Sequence, residues 1–492
     1  MSLRLRRAPG ASIWGVLVSN PARLVLAGFA AAAVAGTLLL MLPAATREPG
    51  SAPLLVAAFT TVSAVCVTGL VTVDTATYWT PFGQAVIIGL IQVGGLGVMT
   101  LATLLTLVVR GKMRMRARLG AQTETHALDP GDVRGVVRRV IGISLLIEAL
   151  VAVALTVRFR IAYDDSLPTA AWHGVFHAVS AFNNAGFALW STNLVPVVTD
   201  PWLVLPITVA VVLGGLGFPV IAEVVRHLAR TRPGARRGPA GGYGPLESEA
   251  DGSVPGTWAQ RTSRAPGHWS IHTRLTLAGT VGLLLVGTVA FTVFEWRNTG
   301  TLAGMEPSQK LLAAWANGGV FPRTAGFNSV DYGQVRPETE AITTLLMFIG
   351  GGSAGTAGGL KVTTFLLLWF VMVAEVRGDE EVVIAHRRVP QAVVRQALSV
   401  ALLAVGLVTA ATIAILMLTR FSFDQVLFEV VSAFATVGLT LGITPSMPPP
   451  AQLILMALMF LGRVGPITAA SALALRRRRP VVRHPEERPI VG

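Results

Sequence analysis

The sequence is short of charge. Asp, Glu, Lys and Arg make up 13% of its 492 residues, about half the share of an average soluble domain, and 52% of the residues are hydrophobic. That balance argues against a soluble multi-domain enzyme and makes a membrane the first partner to test. Cysteine is nearly absent: the single Cys66 excludes a disulfide framework and a cysteine-built zinc or iron–sulfur site. Also missing are the clustered Asp, Glu or His that a membrane transferase would need near the interface. His173 and His177 stand one helical turn apart without carboxylate neighbours in the sequence, so no resident metal or bound cofactor is expected. No nucleotide-binding motif is present, because the glycine-rich run at 350–359 lacks the strand and soluble helix of a dinucleotide site, and Lys361 does not follow phosphate-loop spacing. Arg4, Arg6 and Arg7 precede an apolar run too long for a signal peptide.

What is present is apolar length. A spanning helix needs about 20 mainly apolar residues, and eight segments meet that, near 22–43, 82–109, 136–157, 201–225, 272–294, 340–375, 392–418 and 451–475. Between successive members of each pair lie shorter semi-apolar stretches near 52–66, 169–182, 308–321 and 424–435. These are too short to span and read as re-entrant helices. Of the forty Lys and Arg residues, thirty fall at the N-terminus, in 110–139, 226–274 and 377–395, and in the tail 476–492. This asymmetry predicts both termini in the cytoplasm and turns a net charge of +14 into a record of orientation, with no nucleic acid required. Twelve acidic residues on the opposite side predict a mildly negative outer mouth. Gly and Pro supply 13 of the 41 residues of 230–270, which reads as a disordered cytoplasmic linker between two halves.

The chain carries a fourfold repeat. After each short stretch comes Ser63-Ala64-Val65-Cys66-Val67-Thr68-Gly69-Leu70, Ser180-Ala181-Phe182-Asn183-Asn184-Ala185-Gly186-Phe187, Val320-Phe321-Pro322-Arg323-Thr324-Ala325-Gly326-Phe327 and Ser432-Ala433-Phe434-Ala435-Thr436-Val437-Gly438-Leu439. A Gly-x-x-Gly follows each one in the next long segment, beginning at Gly94, Gly214, Gly352 and Gly462, which lie 25, 28, 26 and 24 residues after the loop glycine. A helix, a re-entrant helix, an extended loop and a helix, four times over, would bring four short backbone segments face to face. Converging carbonyls of that kind can replace the hydration shell of a cation.

These four loops, together with Gly351-Gly352-Ser353-Ala354-Gly355-Thr356-Ala357-Gly358-Gly359-Leu360-Lys361 and Gly462-Arg463-Val464-Gly465-Pro466, resemble the Ktr/Trk/HKT superfamily of potassium-transporting membrane subunits, from about 20 to 476. Eight segments, without two further N-terminal helices, are similar to its Ktr-like branch. The resemblance implies an all-α polytopic membrane protein with four helix–pore-loop–helix repeats, at 22–110, 134–229, 271–377 and 391–475, in pseudo-fourfold order around one pore in the cell membrane. It implies a potassium filter lined by Val67, Thr68 and Gly69, by Asn184, Ala185 and Gly186, by Thr324, Ala325 and Gly326, and by Thr436, Val437 and Gly438. In this family a serine at the first filter glycine goes with sodium transport, and the glycine at 69 favours potassium. The implied partners are a second copy of the chain and a cytoplasmic ring of nucleotide-binding, RCK-type regulatory subunits, with sodium as an activator. The third loop departs from the pattern at Pro322-Arg323, which predicts a differently shaped outer part.

Six glycines in the ten positions 350–359, each costing up to about 1 kcal/mol relative to alanine in a helix, predict an irregular intramembrane loop. Gly350, Gly351, Gly352, Ser353, Gly355, Thr356, Gly358, Gly359, Lys361 and Arg463 are the candidate gating residues. Arg463 lies in an otherwise apolar segment, where a central charge costs at least about 2.5–3.5 kcal/mol, and is expected to face either the pore, as an electrostatic barrier, or a carboxylate. Lys361 fits gating or plain anchoring equally, and Glu148 reads as a buried, paired carboxylate. Two alternatives stay open: a sodium-coupled or sodium-selective transporter of the same superfamily, and an unrelated secondary transporter with broken helices.

Overall fold

The computed structural model describes residues 21–118, 130–163, 166–231 and 269–475; the expected tail 476–492, residues 1–20 and most of the linker 230–270 lie outside them. Among the described residues the architecture is helical. The elements are α1 (Pro21–Leu40), α2 (Leu54–Val65), α3 (Pro81–Arg118), α4 (Pro130–Ala162), α5 (Leu167–Phe182), α6 (Pro201–Leu216), α7 (Phe218–Thr231), α8 (Ile271–Glu295), α9 (Pro307–Ala314), α10 (Pro337–Phe348), α11 (Val362–Arg377), α12 (Gln391–Leu418), α13 (Phe423–Phe434) and α14 (Pro449–Leu475). A small hairpin of β1 (Val383–Ile384) and β2 (Arg387–Arg388) follows α11.

Four of the helices are long and apolar enough to cross a bilayer, in Pro81–Thr100, Val137–Ala162, Ile271–Glu295 and Gln391–Leu418. Their outer faces expose apolar side chains, such as Leu146, Leu150 and Val153 on α4 and Leu285, Val286 and Val289 on α8. The buried positions of the same helices include Ser144, Thr276, Thr280 and Thr412. Apolar outside and small or polar inside is the distribution expected where lipid, and not water, surrounds the helices.

The short helices α2, α5, α9 and α13 sit where the semi-apolar stretches predict them. Each begins on a defined signal: Pro53 precedes α2, the Ser166 hydroxyl accepts from the Thr169 N–H, and the side chains of Gln309 and Gln425 reach back to the backbone N–H of Glu306 and Ser422. Phe59, Phe176, Phe182, Phe321 and Phe428, on or just beyond these helices, are fully buried and wedge them among the longer ones. The first helix longer than one turn after each loop begins with proline, at Pro81, Pro201, Pro337 and Pro449; after loop 1 a one-turn helix, Thr75–Tyr78, precedes it. Proline at the first helical position loses no hydrogen bond, so this fourfold start signal stood in the sequence beside the glycine pattern.

Two expected spans are interrupted. The 201–225 segment does not form one helix: α6 and α7 meet at 102° at Gly217, whose φ is +89°. The 340–375 segment divides into α10 and α11, with non-helical backbone between them. Arg158 Nε and the Tyr163 hydroxyl both donate to Asp200 Oδ2, at 2.8 and 3.1 Å, joining the end of α4 to the start of α6. Burial, followed by the Asp200 charge, pushes the Tyr163 phenol up to about 12, so it stays protonated and keeps donating.

The bend at Gly217 yields a stability prediction. Any side chain there must adopt a left-handed conformation and would meet the carbonyl of Ser353. Gly217→Ala is expected to destabilise the protein by at least about 1–2 kcal/mol, read as a lower thermal midpoint in detergent; an unchanged midpoint would show that the bend does not depend on glycine.

Candidate functional site

Loops 1, 2 and 4 share one backbone design, which explains the repeated Ser-Ala. In loop 1 the Thr68 N–H bonds back to the Ser63 carbonyl at 2.8 Å and the Val67 N–H to the Ala64 carbonyl at 3.0 Å. Loop 4 repeats this, with Val437 on Ser432 and Thr436 on Ala433, and loop 2 with Ala185 on Ser180 and Asn184 on Ala181. This is the Schellman helix ending, which needs a left-handed residue just past the helix. That residue is Val67, Asn184 or Thr436 in these three loops, with φ of 56°, 60° and 50°, and Thr324 with φ of 75° takes the same place in loop 3. Three of the four are β-branched, for which this region is strongly disfavoured, so the surrounding packing must hold them there. The serine hydroxyls complete the turn: Ser63 and Ser432 accept from the N–H of Gly69 and Gly438, and Ser180 donates to the carbonyl of Phe187.

Loop 3 lacks the serine and is built otherwise. After α9 the chain widens into a π-helical turn, Trp315–Val320, and Asn317 clamps the outgoing strand by exchanging hydrogen bonds with Ser329, both at 2.8 Å. Its left-handed residue and glycine still fall at equivalent places. The differently shaped part therefore precedes the loop's centre.

Two residues after each left-handed residue stands a glycine, again with positive φ: 93° at Gly69, 70° at Gly186, 69° at Gly326 and 96° at Gly438. The four glycines form a closed ring. A methyl group placed on Gly69 would strike the Ala185 carbonyl, one on Gly186 the Ala325 carbonyl, one on Gly326 the Val437 carbonyl, and one on Gly438 the Thr68 carbonyl. Loop 1 thus touches loop 2, loop 2 touches loop 3, loop 3 touches loop 4, and loop 4 returns to loop 1. All twelve residues expected to line this place lie in these four loops, and all are buried.

The Gly-x-x-Gly markers divide in their roles. Gly94, Gly214 and Gly462 each let a long helix press on the last turn of a short one, at the carbonyls of Val65, Phe182 and Phe434. The third marker breaks the pattern: Gly352 lies outside any helix and approaches the Leu216 carbonyl at the end of α6. Its sequence register matches, but its structural role does not.

Residues 349–361 form a compact non-helical segment against the bend of α6 and α7. Gly352 and Thr356 donate their N–H groups to the carbonyls of Gly215 and Gly214, at 2.8 and 3.1 Å. Those carbonyls are free because the helix stops there, so the break and the segment satisfy each other. The segment closes on itself through Gly350 N–H to Leu360 O at 2.8 Å. Gly358 is pressed against Thr436 and Ala435 of loop 4, and the Thr356 hydroxyl donates to Asn184 Oδ1 of loop 2 at 3.2 Å. The segment therefore lies directly against the inner, helix-proximal ends of two loops.

Three cations reach it, Arg463, Lys361 and Arg323. Arg463 is 3% exposed and donates from Nη1 to the carbonyl of Thr356, while its Nε and Nη2 find no partner among the described residues. Its contact is thus a carbonyl of the segment and not a carboxylate. Lys361 donates from Nζ to the Ala357 carbonyl at 2.5 Å. Glu148 is buried as expected, and its partners are amides: Gln92 Nε2 bonds both oxygens at 3.1 and 2.9 Å, and Asn183 Nδ2 bonds one at 3.0 Å. His177 bonds the His173 carbonyl through Nδ1 and accepts the Leu189 N–H on Nε2, which ties α5 to the chain beyond loop 2. Cys66 caps α2 and is buried.

Asn183, Asn184 and Arg323 join these parts, and only Asn184 stands out in the sequence reading as a site residue. Their position in register with Cys66-Val67 and Ala435-Thr436 was the available signal.

The family of TrkH cation transport proteins matches residues 19–232 and 272–477. The chain is 36% identical over 473 residues to the Ktr system potassium uptake protein B of Bacillus subtilis strain 168, covering 96% of this chain and 97% of that protein. It is 33% identical over 470 residues to the protein of the same name from Vibrio alginolyticus, covering 96% and 94%. The potassium/sodium uptake protein NtpJ of Enterococcus hirae is 32% identical over 483 residues, covering 96% and 97%. Among solved structures, the potassium transporter TrkH from Vibrio parahaemolyticus superposes with a TM-score of 0.68 at 16% identity, over 94% of this chain and 86% of that one, which is a likeness of fold. The chain belongs to the TrkH family of cation transport proteins.

Proposed function

We propose that this protein takes up potassium through a pore with a backbone filter. The observation that carries the reading is the closed ring of Gly69, Gly186, Gly326 and Gly438. Around it the carbonyls of Thr68, Ala185, Ala325 and Val437 each lie against the glycine of a neighbouring loop, and partial negative charge of this kind can substitute for water around a cation. The four loops with their flanking helices, at 22–110, 134–229, 271–377 and 391–475, are then pseudo-symmetric repeats about one axis. Eight membrane passages, two of them broken, put both termini on the cytoplasmic side, as the distribution of Lys and Arg supports. The cation is drawn by the ring and by the net acidity of the outer face. The names of the Bacillus subtilis and Vibrio alginolyticus relatives support potassium as the ion.

In this reading the segment 349–361 is the gate, since it lies against the inner ends of loops 2 and 4. Irregular backbone at membrane depth is stable only where buried or facing water, and here α6 and its own internal bond bury it. Arg463, held on that segment, puts a desolvated positive charge on the inner side of the ring and raises a barrier to an exiting cation. Regulation comes from outside the chain: a cytoplasmic ring of nucleotide-binding subunits on the basic inner loops, acting on a homodimer of this subunit, with sodium as an activator. The name of the Enterococcus hirae relative, a potassium/sodium uptake protein, supports a second reading in which sodium is carried as well.

Ion flux into proteoliposomes separates the readings. The wild type should pass potassium and rubidium in preference to sodium, and equal passage would remove the potassium reading. Gly69→Ser introduces a side chain that meets the Ala185 carbonyl and should reduce potassium-over-sodium discrimination by roughly tenfold, the equivalent of about 1.4 kcal/mol between the two ions. Arg463→Gln should raise potassium flux several-fold, since it removes the positive charge that repels the passing cation; lower flux would defeat the barrier role. Replacing 350–359 with a helix-forming sequence should change flux and its regulation, and unaltered flux would sink the gate assignment.

A further inference from the structure

Arg323 stands immediately before the left-handed residue of loop 3, where the other loops have Cys66, Asn183 and Ala435. It is 6% exposed. Its Nη1 donates to the Thr280 carbonyl of α8 at 3.1 Å and its Nη2 to the Gly350 carbonyl at 3.4 Å, while Nε has no protein partner. The ion pairs found among the described residues, Arg158 with Asp200 and Arg388 with Glu381, do not involve it. A buried guanidinium without a carboxylate is costly, and a neutral side chain of similar volume would fill this space more cheaply. The fork of the guanidinium does what such a side chain cannot: it holds two carbonyls from different elements at once.

One of those carbonyls belongs to Gly350, near the start of the segment 349–361. Gly350 also donates its N–H to Leu360, so a hold on Gly350 is a hold on both ends of the segment. A second tether lies nearby: Thr356 donates to Asn184, and Asn184 Nδ2 donates to the Thr324 hydroxyl at 3.3 Å. The segment is thus fastened to loops 2 and 3. At the matching place of loop 4 the Thr436 hydroxyl has no hydrogen-bond partner among the described residues.

We propose that Arg323 is a positioning residue that couples loop 3 to the intramembrane segment, so that displacing the segment alters ion discrimination as well as passage. The inference rests on the pore reading above. The segment cannot withdraw without either parting from Arg323 or pulling on the peptide that joins it to Thr324, one residue from the Ala325 carbonyl in the ring.

The test compares wild type, Arg323→Met and Arg323→Lys as full-length protein in proteoliposomes, with hydrogen exchange of the peptide covering 350–360 as a readout independent of flux. In Arg323→Met, unstimulated potassium flux should rise roughly tenfold, the scale of one lost charge-assisted hydrogen bond. The potassium-to-sodium ratio should fall in the same variant, and exchange at 350–360 should accelerate. Lysine keeps the charge without the fork and should give intermediate values. A folded Arg323→Met protein with wild-type flux, ratio and exchange overturns the proposal, as does a loss of thermal stability with the ratio unchanged. If the methionine variant does not fold, the lysine variant decides on the same readouts. A wild type without selective potassium flux would defeat the pore reading, while exchange at 350–360 would still test the tether.

Discussion

Everything in this structure is organised around four places where no side chain fits. At Gly69, Gly186, Gly326 and Gly438 a single added carbon would collide with the backbone of the next loop, and at each the backbone is left-handed. To hold the loops this close, the chain ends each short helix on a left-handed residue that is not glycine. Each such residue costs about 1–2 kcal/mol, and the cost is met by the buried phenylalanines and serine hydroxyls around it. The membrane makes this arrangement stable, because every backbone group near the loops must find a partner within the protein.

The same requirement explains the asymmetry beneath the ring. Three of the long helices that follow a loop press a glycine onto the end of a short helix. The fourth, after loop 3, dissolves into the segment 349–361 and takes its partners from the broken end of α6. The bend at Gly217 and the irregular segment are two halves of one hydrogen-bond exchange, and neither would be stable at membrane depth without the other. Arg463, Lys361 and Arg323 then secure the segment through carbonyl oxygens. The proposed gate is thereby surrounded by positive charge with no carboxylate bound to it, which suits a barrier to cations better than a resting site for them.

Much of this was legible in the chain. The short helices, the four loops and the glycine-rich interruption follow from segment length, repeat register and helix propensity, all properties of local sequence. The prolines that open α3, α6, α10 and α14 add a further signal of the same kind. The limit of that signal is also local: the apolar run at 201–225 reads as one span, since glycines such as Gly214, Gly215 and Gly217 in a membrane segment most often mean close packing. The Gly-x-x-Gly at 352 looks equivalent to the other three because spacing does not reveal whether a helix continues.

By itself, the sequence determined that this is a helical membrane protein with four related loops, and that a charge at 463 needs a special environment. Only the tertiary structure decided that loop 1 meets loop 2 and loop 4 returns to loop 1, that Arg463 bonds a carbonyl and not an acid, and that Asn183, Asn184 and Arg323 connect the ring to its surroundings. The division has one physical cause. Local geometry is fixed by backbone sterics within a few residues, whereas the partner of a buried polar group is fixed by whichever distant element brings an unpaired donor or acceptor to the same place.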